Sequence, residues 1–189
     1  MAEVLLYHHI QGLTDGVRAF ADDLRRAGHT VHAPDLFDGH TFDSIEEGFG
    51  YAREAGLDAI REQGAAAADG LGPGLVYAGF SFGVTIAQRL AQTRPGARGA
   101  LLVYSCLPIS EFGAAWPEGV PVQIHGKADD EFFDEDLPAA RELAGSTVDA
   151  ELFLYPGDQH LFADSSLDAY DPEAAALLME RVHTFLASV

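Results

Sequence analysis

Short apolar runs alternate along the chain with stretches in which apolar residues return every three or four positions. Val4–Tyr7 is an unbroken apolar run near the start. Thr14 and Asp15 then offer a helix cap, and Val17, Phe20 and Leu24 repeat at helical spacing as far as Gly28. Thr30–Ala33 reads as a second strand that runs into the turn Pro34–Phe37. Ser44 opens a long helical stretch through Ile45, Phe49, Ala52 and Ile60, which the cluster Gly70–Pro73 ends. Leu75–Ala78 predicts a third strand, followed at once by a helix from Phe82 to Thr93. Ala100–Tyr104, Val120–His125 and Glu151–Tyr155 predict three more strands. A helix over Pro138–Leu143 separates the last two, and a helix over Pro172–Ala187 closes the chain.

Strands this short and apolar, interleaved with helices, predict an α/β fold: a mainly parallel sheet of about six strands with helices on both faces. No internal repeat or linker interrupts the pattern, so one domain over residues 1–189 is expected. Open α/β sheets form their sites beyond the carboxyl ends of the strands. Candidate chemistry is therefore sought just after each strand.

Composition narrows the partners. With 48% hydrophobic residues the chain can fill a core, which excludes a disordered segment. Acidic residues outnumber basic ones 30 to 11, for a net charge of −19. Such a surface repels phosphate backbones and anionic headgroups, so neither nucleic acid nor membrane is an expected partner. The single cysteine, Cys106, cannot form an internal disulfide, and Met1–Gly12 has no basic leader. A cytoplasmic location fits both.

After the third strand stands Gly79-Phe80-Ser81-Phe82-Gly83, then a helix. The pattern G-x-S-x-G between a strand and a helix forces its serine to the tip of a sharp turn. The glycines permit that turn, and the Phe82 N–H lies at a helix start, where the dipole favours a developing oxyanion. An ordinary glycine-rich turn would carry an incidental serine; the strand–turn–helix context favours a nucleophile. A serine hydroxyl needs a base and an orienting carboxylate. His160 and His183 follow the later strands. His183, between Val182 and Phe185 in the closing helix, reads as structural, whereas His160 in the loop after the last strand is the candidate base. After the preceding strand both Asp129 and Asp130 qualify as the acid. Position relative to the strand and the following turn favours Asp130.

Other clusters read as structure. The acidic run Asp129–Asp136 lacks the alternating ligands and central glycine of a calcium loop. His8-His9 and His29-x-x-His32 lack a second ligand pair for zinc, so no metal or cofactor is expected. Cys106 reads as a buried, inert thiol. Phe80, Trp116, Phe132 and Phe162 are candidates for an apolar acyl pocket, against the usual fate of such residues in the core. Trp116, in the loop 107–119, is the candidate mobile wall.

With Ser81, Asp130 and His160 placed, the chain resembles the dienelactone hydrolase family of α/β-hydrolases. The resemblance runs through His8–Gly12, Gly28–Leu36, Gly79–Gly83, Pro121–Phe133 and Tyr155–Phe162 in the expected order. It implies a compact sheet without a large cap domain, and hydrolysis of small carboxylic esters or lactones through an acyl-enzyme. It also implies that the Ile10 N–H is a second oxyanion donor beside Phe82. Ser81 stands where the best-known members carry cysteine, and His9 where they carry glutamate. Asp164 stands where members acting on dienelactone carry an arginine for the substrate carboxylate. A carboxylate there, with the acidic surface, points to a neutral or cationic ester in place of dienelactone. Thioester hydrolysis or acyl transfer, and ligand binding with little turnover, are the alternatives. A homodimer is compatible with the sequence.

Overall fold

A computed structural model describes all 189 residues. The six apolar runs become β1 (Glu3–Tyr7), β2 (Thr30–His32), β3 (Leu75–Phe80), β4 (Gly99–Val103), β5 (Val122–Lys127) and β6 (Ala150–Tyr155). They form one sheet in the order β2-β1-β3-β4-β5-β6, with every pairing parallel. The chain lays β2 on one side of β1 and β3 on the other. The loops after β1 and β3 therefore diverge, which opens a crevice at the carboxyl edge of the sheet.

Strand alternation divides the core in two. Leu5, Tyr7, Leu75, Tyr77, Ala100, Leu102, Val122 and Ile124 face α2 (Ile45–Ala55), α3 (Leu57–Ala66), α4 (Val84–Thr93) and α5 (Glu131–Ser146). Val4, Leu6, Val76, Ala78, Leu101 and Val103 face α1 (Asp15–Arg26) and α6 (Pro172–Ser188). The clusters hold 26 and 23 buried residues, so both faces of the sheet are covered almost equally. That is why its strands read as unbroken apolar runs. No helix is long and apolar enough to cross a membrane.

Two helices depart from expectation. The long stretch after Ser44 breaks at Gly56, whose φ of +93° suits a residue without Cβ, and so yields α2 and α3. The helix expected from Pro138 begins at Glu131 instead. Proline favours a helix start, but here Asp130 accepts the Phe132 N–H and caps the helix about two turns earlier. Pro138 is carried inside at the loss of one helical hydrogen bond, while Phe133, Ala140 and Leu143 anchor the helix to the sheet.

Candidate active site

Ser81 has a φ of +49°, left-handed backbone that a side chain adopts at a cost. Its flanking glycines hold the turn. A Cβ on Gly79 would come within 2.6 Å of the Gly83 and Val84 backbone, and one on Gly83 within 2.4 Å of the Tyr7 carbonyl oxygen. The turn is thus pressed against the end of β1, beside the loop that carries Ile10. A short 3-10 turn over Ser81–Gly83 leads into α4.

His160 Nε2 lies 3.0 Å from Ser81 Oγ, and His160 Nδ1 lies 2.6 Å from Asp130 Oδ2. Asp130 is buried, whereas Asp129 is exposed. The second oxygen of Asp130 accepts the Phe132 N–H at 3.0 Å, so the helix cap also fixes the carboxylate. A carboxylate can only accept at Nδ1, so the ring proton sits there and Nε2 accepts from the Ser81 hydroxyl. This arrangement can draw the proton from the hydroxyl as it attacks an electrophile.

The His160 ring is wedged between Tyr104, with centroids 5.4 Å apart, and Phe132 at 4.9 Å. Tyr104 Oη accepts the Ala163 N–H at 2.8 Å. Ser81, Tyr104 and Leu161 all have positive φ, and the only other such non-glycine residue is Asp38. Backbone strain is therefore concentrated around His160. Lys127, the only lysine, is buried and donates to Gln159 Oε1 and to Asp171 Oδ2, both at 2.6 Å. It ties the residue before His160 to the cap of α6.

The loop after β1 places Ile10 in the core, with a backbone N–H that meets no acceptor within the protein. Asp164 does not face substrate, contrary to the sequence expectation. It is buried and receives His9 Nε2 at 2.8 Å, the Thr14 hydroxyl, and the amide and hydroxyl of Ser166 at 2.9 and 2.6 Å. Burial alone would raise its pKa; the hydrogen bonds from His9, Ser166 and Thr14 outweigh this and hold it at about 2.

A cavity of about 900 Å³ opens at His160. Ile45, Phe49, Phe132, Leu161 and Leu167 supply apolar wall, and Asp43, Glu46 and Asp168 stand around it with Arg53 as the only basic residue. Of the expected pocket aromatics only Phe132 lines it. Phe80 follows the β3 alternation onto the α1 face and packs edge-on against Phe20. Phe162 is fully buried against Tyr104 and Tyr155. Trp116 is a fixed core residue whose Nε1 donates to the Val120 carbonyl at 2.7 Å. Loop position does not tell which side a ring turns to, and in a sheet covered on both faces strand alternation only chooses between two cores. Cys106 is buried, and burial lifts its thiol to about 12. His183 bonds Asp23 and links α6 to α1.

The family model for dienelactone hydrolases matches residues 2–189. The chain belongs to the dienelactone hydrolase family. Family membership makes it a hydrolase, and its sheet is that of an α/β-hydrolase. A search of curated proteins returns no match. Among solved structures, a dienelactone hydrolase-like promiscuous phosphotriesterase, P91, from metagenomic libraries is similar with a TM-score of 0.78 and 21% identity, over 100% of this chain and 86% of that one. A dienelactone hydrolase from Anabaena variabilis gives a TM-score of 0.71 at 16% identity, over 97% and 84%. A structure from work on the metagenome-derived lipolytic enzymes LipS and LipT gives 0.71 at 16% identity, over 100% and 94%.

In this dienelactone hydrolase family member, Tyr104, Lys127, Gln159, Thr14 and Ser166 support the site without any motif to announce them. Tyr104 ends a strand and Lys127 is the sole lysine, but neither fact names a partner. Only the fold brings them to His160 and Asp164.

Proposed function

We propose that the protein is a serine hydrolase that cleaves small carboxylic esters or lactones through an acyl-enzyme. The observation that carries this reading is the hydrogen-bonded line from Asp130 through His160 to Ser81 at the tip of a left-handed turn. Ser81 Oγ attacks the carbonyl carbon while its proton passes to His160 Nε2. Asp130 keeps the other ring proton on Nδ1 and stabilises the imidazolium. The carbonyl oxygen becomes an oxyanion, received by the N–H groups of Phe82 and Ile10, each worth on the order of 3 kcal/mol. His160 then protonates the leaving alcohol oxygen as the C–O bond breaks. Water, deprotonated by the same nitrogen, releases the acid and restores the serine.

The apolar wall suits an alkyl or aryl portion. Three carboxylates against one guanidinium around it favour neutral or cationic esters over substrates that carry a carboxylate. A fluorophosphonate probe tests the reading. Wild type is expected to take up one equivalent at Ser81, located by mass spectrometry, and Ser81→Ala none. A folded wild type that resists the probe would sink the assignment and favour ligand binding without turnover.

A further inference from the structure

The adjacent pair His8 and His9 takes no part in the chemistry above, yet both rings are fully buried and each is committed at both nitrogens. His8 Nε2 accepts the Leu36 N–H at 3.0 Å, and His8 Nδ1 lies 2.7 Å from the His9 carbonyl oxygen. An amide can only donate, so the ring proton sits on Nδ1 and is donated to that carbonyl. His9 has the opposite tautomer. Its Nδ1 accepts the Gln11 N–H at 3.2 Å, which leaves the proton on Nε2 for Asp164 at 2.8 Å. Neither ring has a nitrogen left for a metal or for proton transfer.

These bonds converge on one peptide unit. The His9 carbonyl receives the Gly12 N–H at 3.0 Å as well as His8. In a trans peptide the carbonyl of residue 9 and the N–H of residue 10 lie in one plane and point opposite ways. Holding the His9 oxygen from two sides therefore sets the direction of the Ile10 N–H, the amide without an acceptor in the protein. Helix α2 closes the other side, since a Cβ on Gly48 would lie 2.1 Å from the Ile10 carbonyl oxygen. Asp164 completes the frame. It takes His9 and Thr14 from the first loop and Ser166 from the loop that carries His160. A Cβ on Gly16 would overlap its carboxylate, so α1 packs directly on the junction.

We propose that His8 and His9 are positioning residues: they lock the plane of the 9–10 peptide so that the Ile10 N–H meets the oxyanion formed at Ser81, and through Asp164 they tie that donor to the His160 loop. The inference rests on the reading of Ser81 as nucleophile and Ile10 as oxyanion donor. Burial supports it by keeping His8 neutral, with a pKa lowered to about 4, so that Nε2 remains an acceptor at neutral pH.

The test compares wild type, His8→Ala and His8→Asn with p-nitrophenyl butyrate as substrate and an aryl trifluoromethyl ketone as inhibitor. The ketone adds to a serine to form a tetrahedral oxyanion, so its affinity reads the donor directly. Folding is checked by circular dichroism. For His8→Ala, kcat is expected to fall roughly 10- to 100-fold with KM changed by less than about twofold, and the inhibition constant to rise by the factor lost in kcat/KM. His8→Asn keeps an amide donor near the Nδ1 position, and recovery to within roughly fivefold of wild type is expected. Should His8→Ala not fold, Asp164→Asn carries the same comparison of kcat with inhibitor affinity, and unchanged kcat in it overturns the inference. Full activity in His8→Ala, or a loss of kcat without loss of inhibitor affinity, overturns the inference alone. A wild type that neither hydrolyses the ester nor takes up a fluorophosphonate overturns the serine hydrolase reading, and this inference with it.

Discussion

Asp130–His160 and Asp164–His9 are both buried aspartate–histidine pairs, with N···O separations of 2.6 and 2.8 Å. They differ at the far nitrogen. In His160 that nitrogen faces a hydroxyl at the edge of a cavity; in His9 it faces the Gln11 amide inside the core. The carboxylates differ too. Asp130 serves one ring and one helix cap, whereas Asp164 collects donors from three residues. A hydroxyl can give up its proton to imidazole once it attacks an electrophile, but a backbone amide cannot. The same two residue types thus make a proposed base in one place and a fastening in the other.

The comparison can be broken by removing groups from each pair in turn. The largest effect is expected from Ser81→Ala, which takes away what His160 Nε2 acts on. Its kcat/KM for a p-nitrophenyl ester should drop by roughly 10⁴-fold or more, with a melting temperature close to wild type. Residual activity near wild type would remove the distinction between the pairs. Asp130→Asn should cost roughly 10³- to 10⁴-fold in kcat, because an amide no longer holds the proton on Nδ1.

Asp164→Asn sharpens the contrast. Its kcat loss should be far smaller, at about tenfold, while stability falls by about 3 kcal/mol because buried donors lose their acceptor. Denaturant unfolding beside steady-state kinetics separates the two. Equal kinetic losses in Asp130→Asn and Asp164→Asn would mean that both pairs are catalytic.

Acid should act on the buried histidines before it reaches Asp164. Burial lowers His8 to about 4 and His125 to about 3 from the ordinary 6.5. The unfolded chain therefore takes up protons below pH 6.5 that the folded chain refuses, and stability declines as pH falls from there. Each histidine contributes on the order of 2 kcal/mol by pH 5, and the decline ends near pH 4 for His8 and pH 3 for His125. Asp164 has its pKa lowered from 3.8 to about 2, so its contribution is intact above 3.8 and is lost between there and 2. Urea unfolding across this range checks both windows. A flat profile between pH 7 and 4 would contradict the histidine assignment.

The smallest effect belongs to the exposed charges around the cavity. Asp43→Asn or Asp168→Asn should lower kcat/KM for a choline ester by roughly twofold and leave its uncharged isostere unchanged, with the difference fading in salt. An identical response from both esters would remove the charge argument for substrate choice.

Much of this arrangement was legible from local pattern. The alternation of apolar runs and helical periodicity placed all six strands. Two glycines about Phe80-Ser81-Phe82 marked the sharp turn, because a turn so tight has no room for Cβ on either side. His160 stood out by its position after the last strand, whereas Asp129 and Asp130 both qualified after β5 until burial separated them. Helix α5 was less readable, since Pro138 imitates a helix start while the true cap lies in an acidic run. The pocket aromatics were least readable. Phe80, Trp116 and Phe162 turn into the core, and only Phe132 reaches the cavity.

The succession of strands and helices, the glycine-flanked turn and the placing of a serine, a histidine and two candidate aspartates at strand ends are local or periodic properties, and periodicity survives in one dimension. The partner of each polar group is not such a property. His9 and Asp164 are separated by 155 positions, and neither carries a neighbour that predicts the other. Asp164 looked like a group that repels substrate until packing turned it inward and surrounded it with donors. Burial and hydrogen-bond satisfaction exist only once the loops after β1 and β6 have been brought together, so what sets the pair at the cavity apart from the pair in the core came from tertiary structure alone.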